Sequence, residues 1–521
     1  MSTEITNTDT SSLVSPELAN KSIFIFTSSG KPIFTKVGNE EDMVTTFGFL
    51  QAVISIVLAS GDVMKCILAG NRKIVFLLKQ SIYFVSISST NEPECILLKQ
   101  LDFLYQKILF ILTIKVHSIL ENNPATDLRT LLGSDSDRIL RTACAGDAVP
   151  LPVAFHSLPT LVIEKSLRED VFGHLKVAVE SSKAAMGLLL HDGNVFAIQN
   201  NPNIDLSIGT GDAILLANFI TKSTVFKSQD QQYWVPICLP GFNAQGYLQA
   251  YVSTINIRDA RDGIDGVAMF MVLIAVSNDP DSFKELIAGK MYMEKASRLP
   301  EINTRLTLEL SSSVLNANKY RDQFDCLHFL YKMSPVQKKG SENKVGICQY
   351  IISDGKFPLH STAEKESLFV EYEKLALRLR RGSTQWESTL FPAADVAVEN
   401  KRNSLQDLIR PRKTSARYSP TFTKGDNIIA TPEPSGKGNE PIDTSIAFED
   451  GVNIMASFPS ADHQLVSTTL NSGIVLVGLA SYDCELFIAF PPTFGSLEAS
   501  EKADNMMKHL KNQALAFLCT R

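Results

Sequence analysis

The sequence lacks the cysteine patterns on which disulfide-rich domains and zinc sites depend. Its eight cysteines are dispersed over 521 residues, with no CxxC pair and no dense cluster. A disulfide scaffold needs many more cysteines per residue, and a structural zinc site needs closely paired ligands. The N-terminal stretch 1–20 is polar and has no apolar core of a signal peptide. These absences favour a reducing compartment, and we expect a cytoplasmic protein.

Long apolar runs and an excess of positive charge are also missing. The longest apolar stretches, Phe47–Ala59 and Val267–Val276, are shorter than the roughly 20 residues that span a bilayer. The 50 basic and 56 acidic side chains give a formal charge of −6, which argues against a dedicated nucleic-acid-binding protein. Hydrophobic residues still make up 44% of the chain, which is enough for several folded domains.

Enzyme motifs are missing as well. Gly209-Thr210-Gly211 lacks the third glycine of a dinucleotide-binding fingerprint, and there is neither a phosphate-binding loop with its lysine nor a GxSxG elbow. The aspartates between 259 and 265 do not have the spacing of a calcium loop. The histidines stand singly along the chain. We therefore expect no catalytic residue, no cofactor and no bound metal.

What the sequence does contain is one small α+β pattern that recurs three times. In each copy, a pair of strand-like runs precedes a helix, and three more strands and a second helix follow. This order predicts an α+β fold of three domains, each with a five-stranded antiparallel sheet and flanking helices, and the short connections favour a simple meander. The predicted segments are a polar tail at 1–20, domains at 21–121, 149–300 and 326–521, a linker at 122–148 and a disordered insert at about 392–443.

The helix predicted between about 43 and 60 carries two apolar stripes. A helix lying on one side of a sheet needs only one of them. The second stripe, Phe49, Val53 and Ile56, is therefore either covered by the linker at 122–148 or forms a contact surface for another protein. The stripe with ordinary core-facing spacing comprises Met43, Phe47, Leu50, Ile54 and Leu58.

Two further features allow both a structural and a functional interpretation. Trp234 is one of only two tryptophans, and it either anchors the core at a strand edge or contacts a partner, since tryptophan is enriched in binding hot spots. The predicted insert carries a basic run that includes Arg410, Arg412 and Lys413. This run is either a solvated, phosphorylatable loop or a contact for anionic lipid headgroups.

Several segments together resemble the SAND family. The stretch VPICLPGFNAQGYLQAYVS, at 235–253, is similar to the most specific signature of that family. Other matching segments are SGKPIF within Ser22–Lys36, CILAGNRKIVFL at Cys66–Leu77, LDFLYQKILFIL at 101–112, LHFLYK at 327–332 and NIMASFP at 453–459.

The resemblance implies three longin-like domains and a role in Rab activation. The family supplies the Mon subunit of the Mon–Ccz complex, in which it pairs with a Ccz-type longin subunit. That heterodimer is a guanine-nucleotide exchange factor for a late-endosomal Rab GTPase of the Rab-seven class, in endosome maturation, vacuole or lysosome fusion and autophagy. An early-endosomal Rab and phosphoinositides recruit it, which implies a peripheral position on late endosomes and the vacuole membrane.

The resemblance also implies roles for the residues singled out above. In the family the first longin domains of both subunits form the Rab platform, which would assign Phe49, Val53 and Ile56 to the Ccz subunit or to the Rab. Trp234 would contact the recruiting Rab. Two alternatives remain open, namely a related exchange subunit with three longin domains that acts on another Rab, and a trafficking adaptor without exchange activity.

Overall fold

Three β-sheets and their flanking helices make up the fold. All three sheets belong to one compact unit. The computed structural model of the chain describes residues 20–38, 43–62, 64–133, 136–144, 146, 148–204, 208–227, 231–257, 267–275, 280–334, 346–380 and 464–517.

The first unit has the predicted order of strands and helices. Its elements are β1 (Lys21–Thr27), β2 (Pro32–Thr35), α1 (Val44–Ala59), β3 (Cys66–Ala69), β4 (Arg72–Lys79), β5 (Ile82–Ser88) and α2 (Glu94–Leu112). All strand pairs are antiparallel, in the order β2-β1-β5-β4-β3. The simple meander is therefore wrong, because α1 carries the chain from the edge strand β2 to the opposite edge, β3, and β5 returns to pair with β1.

Short helices occupy the stretch predicted as a linker. Within it lie α4 (Leu128–Leu132) and α5 (Ser136–Ala143), with α3 (Lys115–Asn122) before them and α6 (Leu151–Ala154) and the two-residue strand β6 (Leu158–Pro159) after them. The side chain of Asp127 accepts a hydrogen bond from the N–H of Arg129 (3.0 Å) and so caps α4. Leu128, Leu132 and Leu140 are buried, and both α4 and α5 pack on α2.

The second unit repeats the strand order of the first. Its elements are α7 (Lys165–Ser181), β7 (Met186–His191), β8 (Asn194–Asn200), α8 (Thr210–Lys222), β9 (Gln232–Ile237), α9 (Pro240–Asn243), β10 (Leu248–Ile257), β11 (Val267–Ala275) and α10 (Pro280–Ser297). The sheet order is β8-β7-β11-β10-β9, with all pairs antiparallel. Asp192 and Gly193, between β7 and β8, both have positive φ, as a two-residue hairpin turn requires.

The third unit has the same plan and one additional strand. The helix α11 (Pro300–Ser311) precedes it and packs on α7, α10 and the second sheet. The elements of the third unit are α12 (Ser313–Gln323), β12 (His328–Met333), β13 (Gln349–Ile352), α13 (Thr362–Arg380), β14 (Gln464–Thr469), β15 (Val475–Ala480), β16 (Cys484–Phe490) and α14 (Ser496–Phe517). The sheet order is β14-β15-β16-β12-β13-β6, and β6 pairs with β13 in parallel. The α+β fold with three five-stranded antiparallel sheets is thus confirmed, with β6 added to the third. The predicted insert lies outside the described residues.

One apolar core extends beneath all three sheets. It takes side chains from α2, α8 and α13, each of which lies on the inner face of its own sheet. The outer face of the first sheet packs on α1, the outer face of the second on α7 and α10, and the outer face of the third on α14. The chain therefore has a shared interior and three separate outer layers.

Candidate protein-docking face

Aromatic and aliphatic side chains anchor α1 to the first sheet along one side. Phe47 lies edge-on to Phe24 and Phe26, with ring centroids 5.5 and 5.7 Å apart. Leu50 and Ile54 are buried in the same cluster. Edge-to-face aromatic pairs add roughly 0.5–1.5 kcal/mol to the contribution of their burial. This side of α1 is thus an ordinary sheet-facing surface.

The sheet-facing stripe ends earlier than the spacing predicts. Leu58 is exposed, because it lies in the last turn of α1 beyond the last buried position, Ile54. The predicted core-facing role of Leu58 is therefore wrong, while the buried positions of Phe47, Leu50 and Ile54 confirm the rest of the interpretation.

The opposite side of α1 is apolar and accessible. Phe49 is 64% exposed, Ile56 is 70% exposed and Val53 is half-buried beside them. None of the 16 residues of α1 carries a charge. A helix side that faces water ordinarily carries charged residues, and exposed apolar patches mark interaction sites. We call Phe49, Val53 and Ile56 the α1 docking face.

The edge of the same sheet adds another accessible apolar side chain. Leu68, on the edge strand β3, is 74% exposed. The sequence did not indicate Leu68, because the pattern of a four-residue strand does not distinguish an edge strand from a central one. Leu68 lies on the same face of the sheet as Cys66, which packs on the shared core, whereas its neighbour Ile67 packs in the α1 cluster. Leu68 therefore does not extend the α1 docking face.

The linker leaves the α1 docking face open. The helices α4 and α5 pack on α2, on the other side of the sheet. A further linker contact is made with the turn after β1, where Ser29 Oγ donates a hydrogen bond to the carbonyl of Pro124 (2.9 Å). With all described linker residues in place, Phe49 and Ile56 are still exposed to solvent. The alternative in which the linker covers the second stripe is therefore wrong.

The corresponding helices of the other two units are placed differently. Each of α1, α8 and α13 follows the second strand of its own sheet. Both α8 and α13 lie in the shared core and bury at least seven residues each, whereas α1 buries only Phe47, Leu50 and Ile54. The fold thus encloses this helix in two units and leaves it on the outside in the first, where a second chain has access to it.

The buried histidines have structural hydrogen bonds. His328 Nδ1 lies 3.2 Å from the hydroxyl of Tyr372, and burial lowers the pKa of His328 to about 3. His117 Nε2 lies 3.0 Å from the hydroxyl of Tyr105, and burial lowers its pKa as well. Both imidazoles are therefore neutral near pH 7. Among the described residues, no group of three or more His, Cys, Asp or Glu side chains is placed to hold a metal ion.

A buried ionic cluster joins the first and third units. Lys21 Nζ lies 2.6 Å from Glu92 Oε2, and neither side chain is accessible to solvent. Glu92 Oε1 accepts a hydrogen bond from the N–H of Val149 (2.8 Å). Burial, reinforced by the charge of Glu92, raises the pKa of Glu373 on α13 well above its usual range. The cluster is enclosed, so its role is structural.

Trp234 has a packing role in the second unit. It lies on the edge strand β9, opposite Tyr251 on β10, and is half-buried. Its ring is edge-on to Phe283 of α10, with centroids 5.3 Å apart. Part of its surface is still accessible, so contact with a recruiting Rab stays a prediction.

The predicted membrane contact falls outside the described residues. Arg410, Arg412 and Lys413 are not among them, and their binding to anionic lipid stays a prediction. Within the described ranges, no single helix is both long and apolar enough to cross a bilayer. The helices α2 and α3 have the length and composition only as a pair, and this pair is bent by 84°.

Comparison with known proteins identifies the family. Residues 21–141 match the model of the first longin domain of FUZ, MON1 and HPS1, and residues 186–291 match the model of the second. The vacuolar fusion protein MON1 homolog of Arabidopsis thaliana is 28% identical over 68% of this chain and 58% of its own length. The chain belongs to the MON1/SAND family.

Other members of the MON1/SAND family show similar levels of identity. Vacuolar fusion protein MON1 of Yarrowia lipolytica is 32% identical over 52% of this chain and 47% of its own length. Protein SAND of Takifugu rubripes is 28% identical over 60% of this chain and 57% of its own length. The chain thus spans about half to three fifths of these relatives.

The family assignment places the α1 docking face within the first longin domain. The family models end at residue 291, and the third sheet lies beyond them with the same strand order. Among solved structures, the gliding protein MglB of Thermus thermophilus matches 28% of this chain and 97% of its own, at 15% identity and a TM-score of 0.20, which is too low to bear on the fold.

Proposed function

We propose that this chain is a subunit of a heterodimeric guanine-nucleotide exchange factor that activates a late-endosomal Rab GTPase. The activity would serve endosome maturation, fusion with the vacuole or lysosome, and autophagy. Relatives named vacuolar fusion protein support a role in this pathway. The observation that carries the proposal is the exposed and uncharged α1 docking face in the first longin domain.

A docking face of this kind suits nucleotide exchange, because exchange requires binding and no bond-making group. A Rab holds its nucleotide through switch segments that the γ-phosphate and Mg²⁺ order. A protein that binds the nucleotide-free Rab more tightly than the loaded one weakens nucleotide binding by the same coupling free energy. Burial of apolar side chains against an open switch arrangement supplies such a difference in affinity.

The proposed partners are assigned to three separate groups of residues. Phe49, Val53 and Ile56 bind the Ccz-type longin subunit or the Rab. The accessible part of Trp234 contacts the early-endosomal Rab that recruits the complex. Arg410, Arg412 and Lys413 contact phosphoinositide headgroups and hold the complex peripherally on late endosomes and the vacuole membrane.

A nucleotide-release assay tests the proposal. The chain is purified with its co-isolated longin partner, and the release of a fluorescent GDP analogue is followed from a panel of Rab GTPases. We expect faster release from the late-endosomal Rab than from the others. Acceleration on a different Rab would indicate a related exchange subunit. Flat release from every Rab, with the partner bound, would reject exchange activity and leave the adaptor function.

A further inference from the structure

The C-terminal end of α2 is bonded to the second unit. The last four carbonyl groups of a helix have no partners within that helix. The carbonyl of Phe110 accepts a hydrogen bond from the N–H of Cys238 (3.1 Å), and the carbonyl of Ile111 accepts one from the hydroxyl of Tyr247 (2.9 Å). Groups that another helix would leave to water are thus satisfied by a segment more than 120 positions away in the chain.

A third hydrogen bond runs in the opposite direction. Thr113 ends α2 with a φ of 61°, and the N–H of Ile114 beyond it donates to the carbonyl of Ala244 (2.8 Å). All three second-unit groups lie within residues 238–247, which we call the interdomain clamp. This segment belongs to the stretch with the most specific family resemblance, and the α1 docking face does not account for it.

Asp212 of α8 holds the interdomain clamp from the other side. Its Oδ1 accepts a hydrogen bond from the N–H of Gly241 (2.9 Å), at the start of α9. A Cβ atom at position 241 would lie 2.9 Å from Asp212 Oδ2, so the carboxylate and the clamp backbone are in close contact. Asp212 is only 3% exposed.

The carboxylate is retained at an energetic cost. Burial raises the pKa of Asp212 to about 6, although the amides of Gly241 and Phe242 lower it in part. Among the described residues no ion pair of Asp212 is formed; a buried carboxylate of this kind is unfavourable for folding, and such groups are enriched at sites with a role beyond packing. Its position against the interdomain clamp indicates what that role is.

The interdomain clamp connects the two surfaces that are proposed to meet partners. Its first residue, Cys238, directly follows β9, the edge strand that carries Trp234. Its contacts on the first unit are at the end of α2, which packs on the first sheet from the side opposite α1. Hydrogen-bonded groups thus connect the end of β9 with the layer beneath the α1 docking face.

We infer that residues 238–247 act as an interdomain clamp that couples β9 to the first longin domain, with Asp212 as its positioning residue. The clamp itself is independent of the proposed function, whereas its use in relaying partner binding rests on that function. Amide hydrogen exchange on the full chain, without any partner, tests the clamp because it reports local opening at named amides.

The first arm removes a single hydrogen bond. Tyr247→Phe deletes the hydroxyl that bonds to Ile111, and Tyr482→Phe, at an exposed tyrosine in the turn between β15 and β16, is the matched control. We expect exchange at the amides of Ile114 and Cys238 to become about fivefold faster in Tyr247→Phe, as the loss of one hydrogen bond implies. The control should exchange like the unmodified chain.

The second arm tests transmission from Asp212. Asp212→Ala removes the acceptor for Gly241, whereas Asp212→Asn keeps an oxygen in its place. We expect Asp212→Ala to speed exchange at Gly241 and also at Ile114, which Asp212 does not contact, and Asp212→Asn to restore protection at both. A local packing role would change Gly241 alone and would overturn the coupling.

The outcomes separate this inference from the proposed function. Unchanged protection at Ile114 and Cys238 in Tyr247→Phe would overturn the clamp even if the complex accelerates nucleotide release. The expected changes would support it even if release is flat on every Rab. Should Asp212→Ala fail to fold, Tyr247→Phe alone still decides whether the clamp exists.

Discussion

Replacement of Phe49 gives the most direct measure of the α1 docking face. The side chain is 64% exposed, which corresponds to about 130 Å² when a free phenylalanine exposes roughly 200 Å². At about 25 cal/mol per Å², complete burial of that area in a complex contributes about 3 kcal/mol, or roughly 150-fold in the dissociation constant. Phe49→Asp should weaken binding further, because a carboxylate would have to be desolvated in the interface.

The assay is a titration of the purified chain with its longin partner, followed by nucleotide release from the Rab. Phe357→Asp is the matched control, since Phe357 is 80% exposed in the connection between β13 and α13. We expect Phe49→Asp to lose pairing or exchange and Phe357→Asp to retain both. The thermal midpoint of Phe49→Asp should stay near that of the unmodified chain, because exposed substitutions usually change stability by no more than about 0.5 kcal/mol.

Two results would distinguish the possible occupants of this face. Lost pairing would assign Phe49 to the Ccz-type subunit, and intact pairing with lost exchange would assign it to the Rab. Normal pairing and normal exchange by Phe49→Asp, in a folded heterodimer, would refute the argument from exposure and missing charge.

Three further predictions concern stability. Ile54→Ala should destabilise the chain by about 2–5 kcal/mol, because Ile54 is fully buried, whereas Ile56→Ala on the exposed side of the same helix should leave the thermal midpoint nearly unchanged; equal shifts would contradict the burial pattern. Because the folded-state pKa of Asp212 is raised to about 6, the stabilisation from its protonated form is complete below about pH 4 and is lost as the pH rises through 6. As the pH rises from 4 to 7, the thermal midpoint of Asp212→Asn should therefore rise relative to that of the unmodified chain. The change in the free energy of unfolding should be about 3 kcal/mol at most. A difference between the two chains that does not depend on pH would refute the raised pKa. The pKa of Glu373 is also raised, so Glu373→Gln should gain stability relative to the unmodified chain as the pH rises above the ordinary carboxyl range, which thermal melts across pH would show.

Local patterns in the sequence predicted the helices and strands because each element carries its own period and turn residues. The pair Asp192-Gly193 illustrates such a turn signal, since an Asp-Gly pair between two strands favours the positive φ angles of a two-residue hairpin turn, and both residues have them. The pairing of β1 with β5 was not predicted, because it joins strands separated by about 60 residues and the short connections favoured neighbouring pairs.

The candidate site was predictable in part for the same reason. The second stripe of α1 has a helical period that is visible in the sequence, and the structure brings Phe49, Val53 and Ile56 together on an exposed side. Which helices are enclosed was not predictable, because contacts between distant units decide that α8 is inside and α1 outside. Asp212 gave no local signal either, since its hydrogen-bond partner Gly241 is 29 positions away.

The shared core beneath the three sheets has a consequence for any attempt to divide the chain. The face of α2 that packs on α8 of the second unit includes Phe110, which is buried and whose ring centroid lies 5.1 Å from that of Phe219. A fragment cut at the predicted boundary near residue 148 would turn this face into a water-exposed apolar surface, with the tendency to self-associate that such surfaces have. Truncated chains would therefore aggregate or be degraded by proteases, and they would fail to bind partners even where the binding residues are intact. Point substitutions in the undivided chain are the sound way to map its partners.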